Sequence, residues 1–65
     1  MQAAIDPAVV LKVVEDLQKV DDEWLAEFGE KIRLQGGRLT DGQWLVLKKM
    51  WCKNYPGEIP PWTME

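Results

Sequence analysis

"LQGGRLTDGQWLVLKKMW", Leu34 to Trp51, decides how this chain folds. Its first half stops one helix and its second half starts another. Gly36 or Gly37 supplies the left-handed residue that commonly follows a helix C-terminus. "LTDGQW" then reads as a capping box, with Thr40 at the N-cap and Gln43 at N3 able to return a hydrogen bond. Leu39 and Trp44 are spaced for a hydrophobic staple across that start. Trp44, Leu47, Met50 and Trp51 form the apolar stripe, with Leu45 beside it. Lys48, Lys49 and Lys53 take the other face and the last turns, where the helix dipole favours cations. Pro56 ends the helix by or before Tyr55. The spacing thus predicts a helix over about 41–55 and an extended tail over 56–65. Pro60-Pro61 favours polyproline geometry, and Trp62 is expected to fold back, since its apolar area is wasted in water.

Upstream, "IDPAVVLKVVEDLQKVDDEWLAEFGEKIRLQGG" also opens on a start signal, with Asp6 as cap and Pro7 at N1. Lys31 and Arg33 suit its negative end. Val10, Val13, Leu17, Val20 and Trp24 follow a 3-4-3-4 spacing that Phe28 and Ile32 continue, with Val14 and Leu25 widening the stripe. A break at Asp21-Asp22 would give two shorter helices. Neither aspartate has Glu or Gln three residues on, so no capping box marks one, and the segment is read as one helix over about 7–35.

The expected architecture is therefore all-α: one domain over 1–65, an antiparallel helical hairpin with a proline-rich C-terminal tail folded back. The two helices would span roughly 42 Å and 21 Å at 1.5 Å per residue. The second covers only the half near Val20 to Leu34 and leaves Val9, Val10, Val13, Val14 and Leu17 without an intrachain partner, so the expected oligomer or partner interface is Val10, Val13, Val14, Leu17 and Val20. Five such side chains, at about 1.5 kcal/mol or more each, make dimerisation into a helical bundle through that stripe the expected outcome.

Composition narrows the function. Sixty-five residues with one cysteine and no histidine permit no intrachain disulfide and offer a poor zinc set. No cofactor or metal is expected. Asp21, Asp22 and Glu23 are consecutive, and consecutive helical residues point in different directions. Without histidine no Cys-His or Ser-His pair is possible, and Cys52 is read as a small buried or half-buried thiol, so the chain is not expected to be an enzyme. The apolar fraction of 46% with four tryptophans argues against disorder. No run approaches a membrane span and the N-terminus shows no signal pattern, so a cytoplasmic setting is expected.

Net charge is −3 and unevenly spread. The first helix holds Glu15, Asp16, Asp21, Asp22, Glu23, Glu27 and Glu30, an ordinary solvated face or, alternatively, the surface of an acidic DNA mimic. Arg38, Lys48, Lys49 and Lys53, with Trp51, are the alternative nucleic-acid face.

Two resemblances bear on this choice. "LTDGQWLVLKKM" resembles the helix that opens the winged-helix domain of MarR-type repressors, but "PGEIPPWTME" is too short for the two helices that family places next. "DEWLAEFGEKIRLQGGRLTDGQWLVLKKMWCK", about Asp22 to Lys53, resembles small bacteriophage and prophage proteins that end in a helix, a Gly turn, L-[ST]-x-x-Q and a second helix. The Ile59-Pro60-Pro61-Trp62 tail departs from that pattern. The resemblance implies a phage origin, a host-cell cytoplasmic location and no particular chemistry. The function expected is binding and modulation of a larger host or phage enzyme. An accessory nucleic-acid protein of phage replication or recombination is the alternative.

Overall fold

The computed structural model describes residues 5–63. It contains α1 (Pro7–Gln18), α2 (Glu23–Leu34), α3 (Asp41–Asn54) and a closing 3-10 turn (Pro61–Thr63), with no β-strand among the described residues. The all-α class is as expected, but the expected single helix over 7–35 is two helices. The molecule measures 28 × 27 × 18 Å, too short to hold a straight helix of that length.

The break has a physical cause. Lys19 closes α1 with its N–H on the Asp16 and Leu17 carbonyls, and the Val20 N–H bonds Leu17. Val20 then tucks against the core instead of continuing the helix. Asp22, in extended conformation, caps α2 by accepting from the Leu25 N–H at 3.2 Å. A carboxylate on one free N–H is enough to begin a helix, and no reciprocal box is needed. Restarting the helix also rotates its phase. Leu25, Gly29 and Ile32 face the core, while Trp24, expected in the stripe, turns outward. α2 runs back along α1, and Gly29 makes the close approach possible. A Cβ there would lie 3.2 Å from Gln18 Cγ and from Val14 Cγ1.

This return corrects the expected dimer interface. Val10, Val13, Val14 and Leu17 are buried in the chain's own core, and Val20 packs half-buried against it. The stripe that seemed to need a second chain is covered by α2 and α3, so it gives no reason to dimerise.

The second turn forms as its sequence predicts. Gly36 (φ 72°) and Gly37 (φ 85°) are left-handed, and their N–H groups bond Arg33 and Ile32 carbonyls, a Schellman closure. Gly37 also lies against α1, where a Cβ would meet the Pro7 carbonyl at 2.7 Å. Thr40 and Gln43 exchange both bonds of the capping box, at 3.0 and 3.1 Å. Leu39 is buried and Trp44 packs on the core, as the staple requires.

α1 is the element on which α2, α3 and the closing turn all pack. Asp16 joins it to α3. Its Oδ2 accepts from Trp51 Nε1 at 3.3 Å, and its backbone carbonyl, near the open end of α1, accepts from the Tyr55 hydroxyl. Trp51 stacks on Tyr55 with centroids 5.0 Å apart. Trp62 folds back as expected and meets both Trp44 and Trp51 edge-on at 5.4 Å. The tail is not extended throughout, because Pro61–Thr63 winds into the 3-10 turn and packs on α1. Residues 64 and 65 of the expected tail lie outside the described residues, as do residues 1–4.

Candidate functional site

Three surfaces bring chemistry-bearing side chains together. The first is an open groove of about 360 Å³ on the α1–α2 seam, lined by Leu11, Glu15, Gln18 and Arg33. Arg33 Nη1 donates to Gln18 Oε1 at 3.2 Å and lies 4.0 Å from Glu30. The groove thus offers one carboxylate, one engaged guanidinium and no thiol, hydroxyl or amine. On the opposite flank of α1, Lys12 Nζ is 2.9 Å from Asp16 Oδ1. That hydrogen bond first, and then the carboxylate's charge, holds the Lys12 ammonium above its ordinary value. The Lys12 side chain is about half exposed and that of Asp16 mostly covered, so the pair is a partly solvated link of α1.

The second surface is the basic set predicted on α3. The helix does not bring its members to one face. Lys48 leans over Trp44, with Nζ 5.4 Å from the ring centroid, a cation–π contact on the helix's aromatic flank. Five residues on, and so about 140° around the helix, Lys53 projects elsewhere. Lys49 and Lys53 are exposed on the outer side, and Arg38 stands in the preceding turn. Trp51, the base-stacking platform of the nucleic-acid reading, is buried and covered edge-on by Trp62. Cys52, expected to be buried or half-buried, is exposed on the outer side beside Lys49 and Lys53, because Leu47 and Trp51 take the core-facing positions.

The third surface is the outer side of α2. Trp24 is 52% exposed and stacks on Phe28 with ring centroids 5.2 Å apart and an interplanar angle of 11°. Phe28 is half-buried and packs on the core, so it anchors the exposed indole. Asp21, Asp22, Glu23, Glu27 and Glu30 are all exposed on this helix or its cap, against Lys31 and Arg33 at its far end. Leu34, 80% exposed, closes the same side three turns away. Among the described residues, no three His, Cys, Asp or Glu side chains converge to hold a metal ion.

Sequence reasoning missed Trp24 because a continuous helix phased it inward with Val20 and Phe28. The signals that could have found it were Asp22 followed by Glu23, an N-cap with an acid in the first turn, and Gly29. A glycine inside a helix costs about 1 kcal/mol relative to alanine and so marks a close packing contact.

No family model, curated protein or solved structure matches this chain. None of the described helices is long and apolar enough to cross a membrane.

Proposed function

We propose that this chain is a small, non-enzymatic protein that acts by binding another protein through the outer side of α2. One observation carries the reading. The other three tryptophans pack in or against the core, whereas Trp24 is more than half exposed and held rigid by its stack on Phe28. A preordered aromatic loses little side-chain entropy on docking, and tryptophans are enriched among the residues that dominate interface energies. The acids around it add orientation and steering toward a basic partner surface. In the phage setting that the likeness over Asp22–Lys53 implies, the partner is a larger host or phage enzyme, which the small protein modulates in the host cytoplasm.

Affinity capture from bacterial cells with the full chain tests this, read by mass spectrometry. Trp24→Ala should lose the captured protein while its melting curve stays close to that of the parent. A partner retained equally by parent and Trp24→Ala would remove α2 from the binding role. The nucleic-acid alternative makes a different forecast. Its basic residues diverge around α3, and Trp51, its stacking platform, is buried under Trp62. Labelled single- or double-stranded oligonucleotides should therefore show no appreciable binding by anisotropy at 0.15 M salt. Micromolar binding that weakens with salt, and vanishes when Lys48, Lys49 and Lys53 are changed to Glu, would replace the protein-binding reading.

A further inference from the structure

The outer side of α3 is the electrostatic counterpart of the outer side of α2. Leu47 and Trp51 point into the core, so at about 100° per residue Leu45, Lys49, Cys52 and Lys53 project away from it. All four are exposed, Leu45 by half. One helix therefore presents apolar anchors, Trp24 and Leu34, among acids. The other presents an apolar anchor, Leu45, among lysines.

We propose that the outer face of α2 docks on the outer face of α3 of a second copy of this chain. This rests on the reading of α2 as a protein-binding face and names an occupant for it. Charge selects the pairing. The outer side of α2 carries Glu23, Glu27 and Glu30 against Lys31, so α2 against α2 leaves acids in excess, and α3 against α3 would oppose Lys49 and Lys53 with themselves. The mixed pairing sets the excess carboxylates on ammoniums, with Trp24 able to cover Leu45. Like-charge excess disfavours the alternatives, as in other specific interfaces. α2 and α3 both pack on α1 and not on each other, so one copy's α2 meets the next copy's α3 head to tail, through one contact per pair of copies. A single pair of helices about 18–21 Å long is small beside the roughly 1,200 Å² of a stable interface, so the association is reversible and weak.

Sedimentation velocity of the full chain, at concentrations from low micromolar to several hundred micromolar, tests the proposal. At low salt the average mass should climb with concentration without levelling at twice the monomer, and at high salt it should return to the monomer, because the contact is charge-selected. A triple variant of α2 (Glu23→Lys, Glu27→Lys, Glu30→Lys) and a double variant of α3 (Lys49→Glu, Lys53→Glu) should each stay monomeric. Mixed one to one, they should associate, and adding Trp24→Ala to both partners should abolish that association. Circular dichroism melts confirm that these surface variants fold. A monomer at every concentration in low salt overturns the proposal, as does self-association that survives in either charge variant. So does a mixture insensitive to Trp24→Ala, which reports bulk charge attraction only. If self-association fails while Trp24→Ala still loses a cellular partner, the protein-binding reading stands and only its occupant changes.

Discussion

The turn between α2 and α3 is built from two left-handed glycines and a reciprocal capping box, Thr40 with Gln43. The turn between α1 and α2 is built from Lys19, Val20, Asp21 and Asp22, none of which has positive φ. Both reverse the chain. The first does so by local chemistry that would act in almost any context. The second has only one local device, the Asp22 cap, and otherwise depends on what the reversal buries. Local signals thus specify one end of α2, and tertiary packing specifies the other.

The largest expected effect comes from removing that packing. Leu17 is 1% exposed and sits on the last turn before the reversal. Leu17→Ala should lower stability by about 2–5 kcal/mol, through lost transfer energy and the cavity left behind. Urea unfolding followed by circular dichroism checks it. At low micromolar concentration and 0.15 M salt the midpoint should not depend on protein concentration, since the stripe is satisfied within one chain. A midpoint rising with concentration would restore the long helix and its dimer.

Two helical glycines sharpen the contrast. Gly29 lies against α1, and Gly42, in the first turn of α3, has only Thr40 Oγ1 near it, 3.9 Å from a would-be Cβ. Gly29→Val forces α1 and α2 apart and should cost about 1–3 kcal/mol. Gly42→Ala should be neutral or stabilise by up to about 1 kcal/mol, from helix propensity alone. If both behave alike, Gly29 is not the contact that seats the first reversal.

These residues also show what the sequence could tell. Fold class, the α3 boundaries, both caps of that turn and the return of Trp62 were legible, because each is written in adjacent residues whose geometry is fixed by covalent and hydrogen-bond constraints. The break at Asp21-Asp22 was not, because the 3-4 spacing from Val10 to Ile32 fits one helix as well as two. Its resolution depends on whether Val14 can meet Gly29, a contact between residues fifteen apart that periodicity does not encode. The candidate site inherited that ambiguity. Once the helix was read as continuous, Trp24 became core, and Val10, Val13, Val14 and Leu17 became surface.

Caps give smaller effects. Thr40→Ala should lower stability by about 1 kcal/mol, since its hydroxyl accepts from the Gln43 N–H and Gln43 in turn bonds the Thr40 N–H. Gln43→Ala in the Thr40→Ala background should cost less than in the parent, the coupling expected of a reciprocal pair. Equal costs in both backgrounds would mean that the box acts as two independent bonds.

The smallest expected effect is the most informative about the first turn. Changing both Asp21 and Asp22 to Ala removes the cap of α2 and makes Lys19–Glu23 a good helix former. If local propensity decided the break, this variant would become one long helix, expose the stripe and dimerise. The cap contributes about 1 kcal/mol, and part of that is returned by alanine's helix propensity. Straightening would expose Val10, Val13, Val14 and Leu17, which are now almost fully buried, at about 1.5 kcal/mol or more each. Packing therefore outweighs propensity several-fold. The variant should remain a monomer at low micromolar concentration, with unchanged contacts between Val14 and α2 in nuclear Overhauser spectra and a stability loss below about 1 kcal/mol. A dimer with a single helix through residue 20 would show that the aspartates, and not the burial they permit, turn the chain.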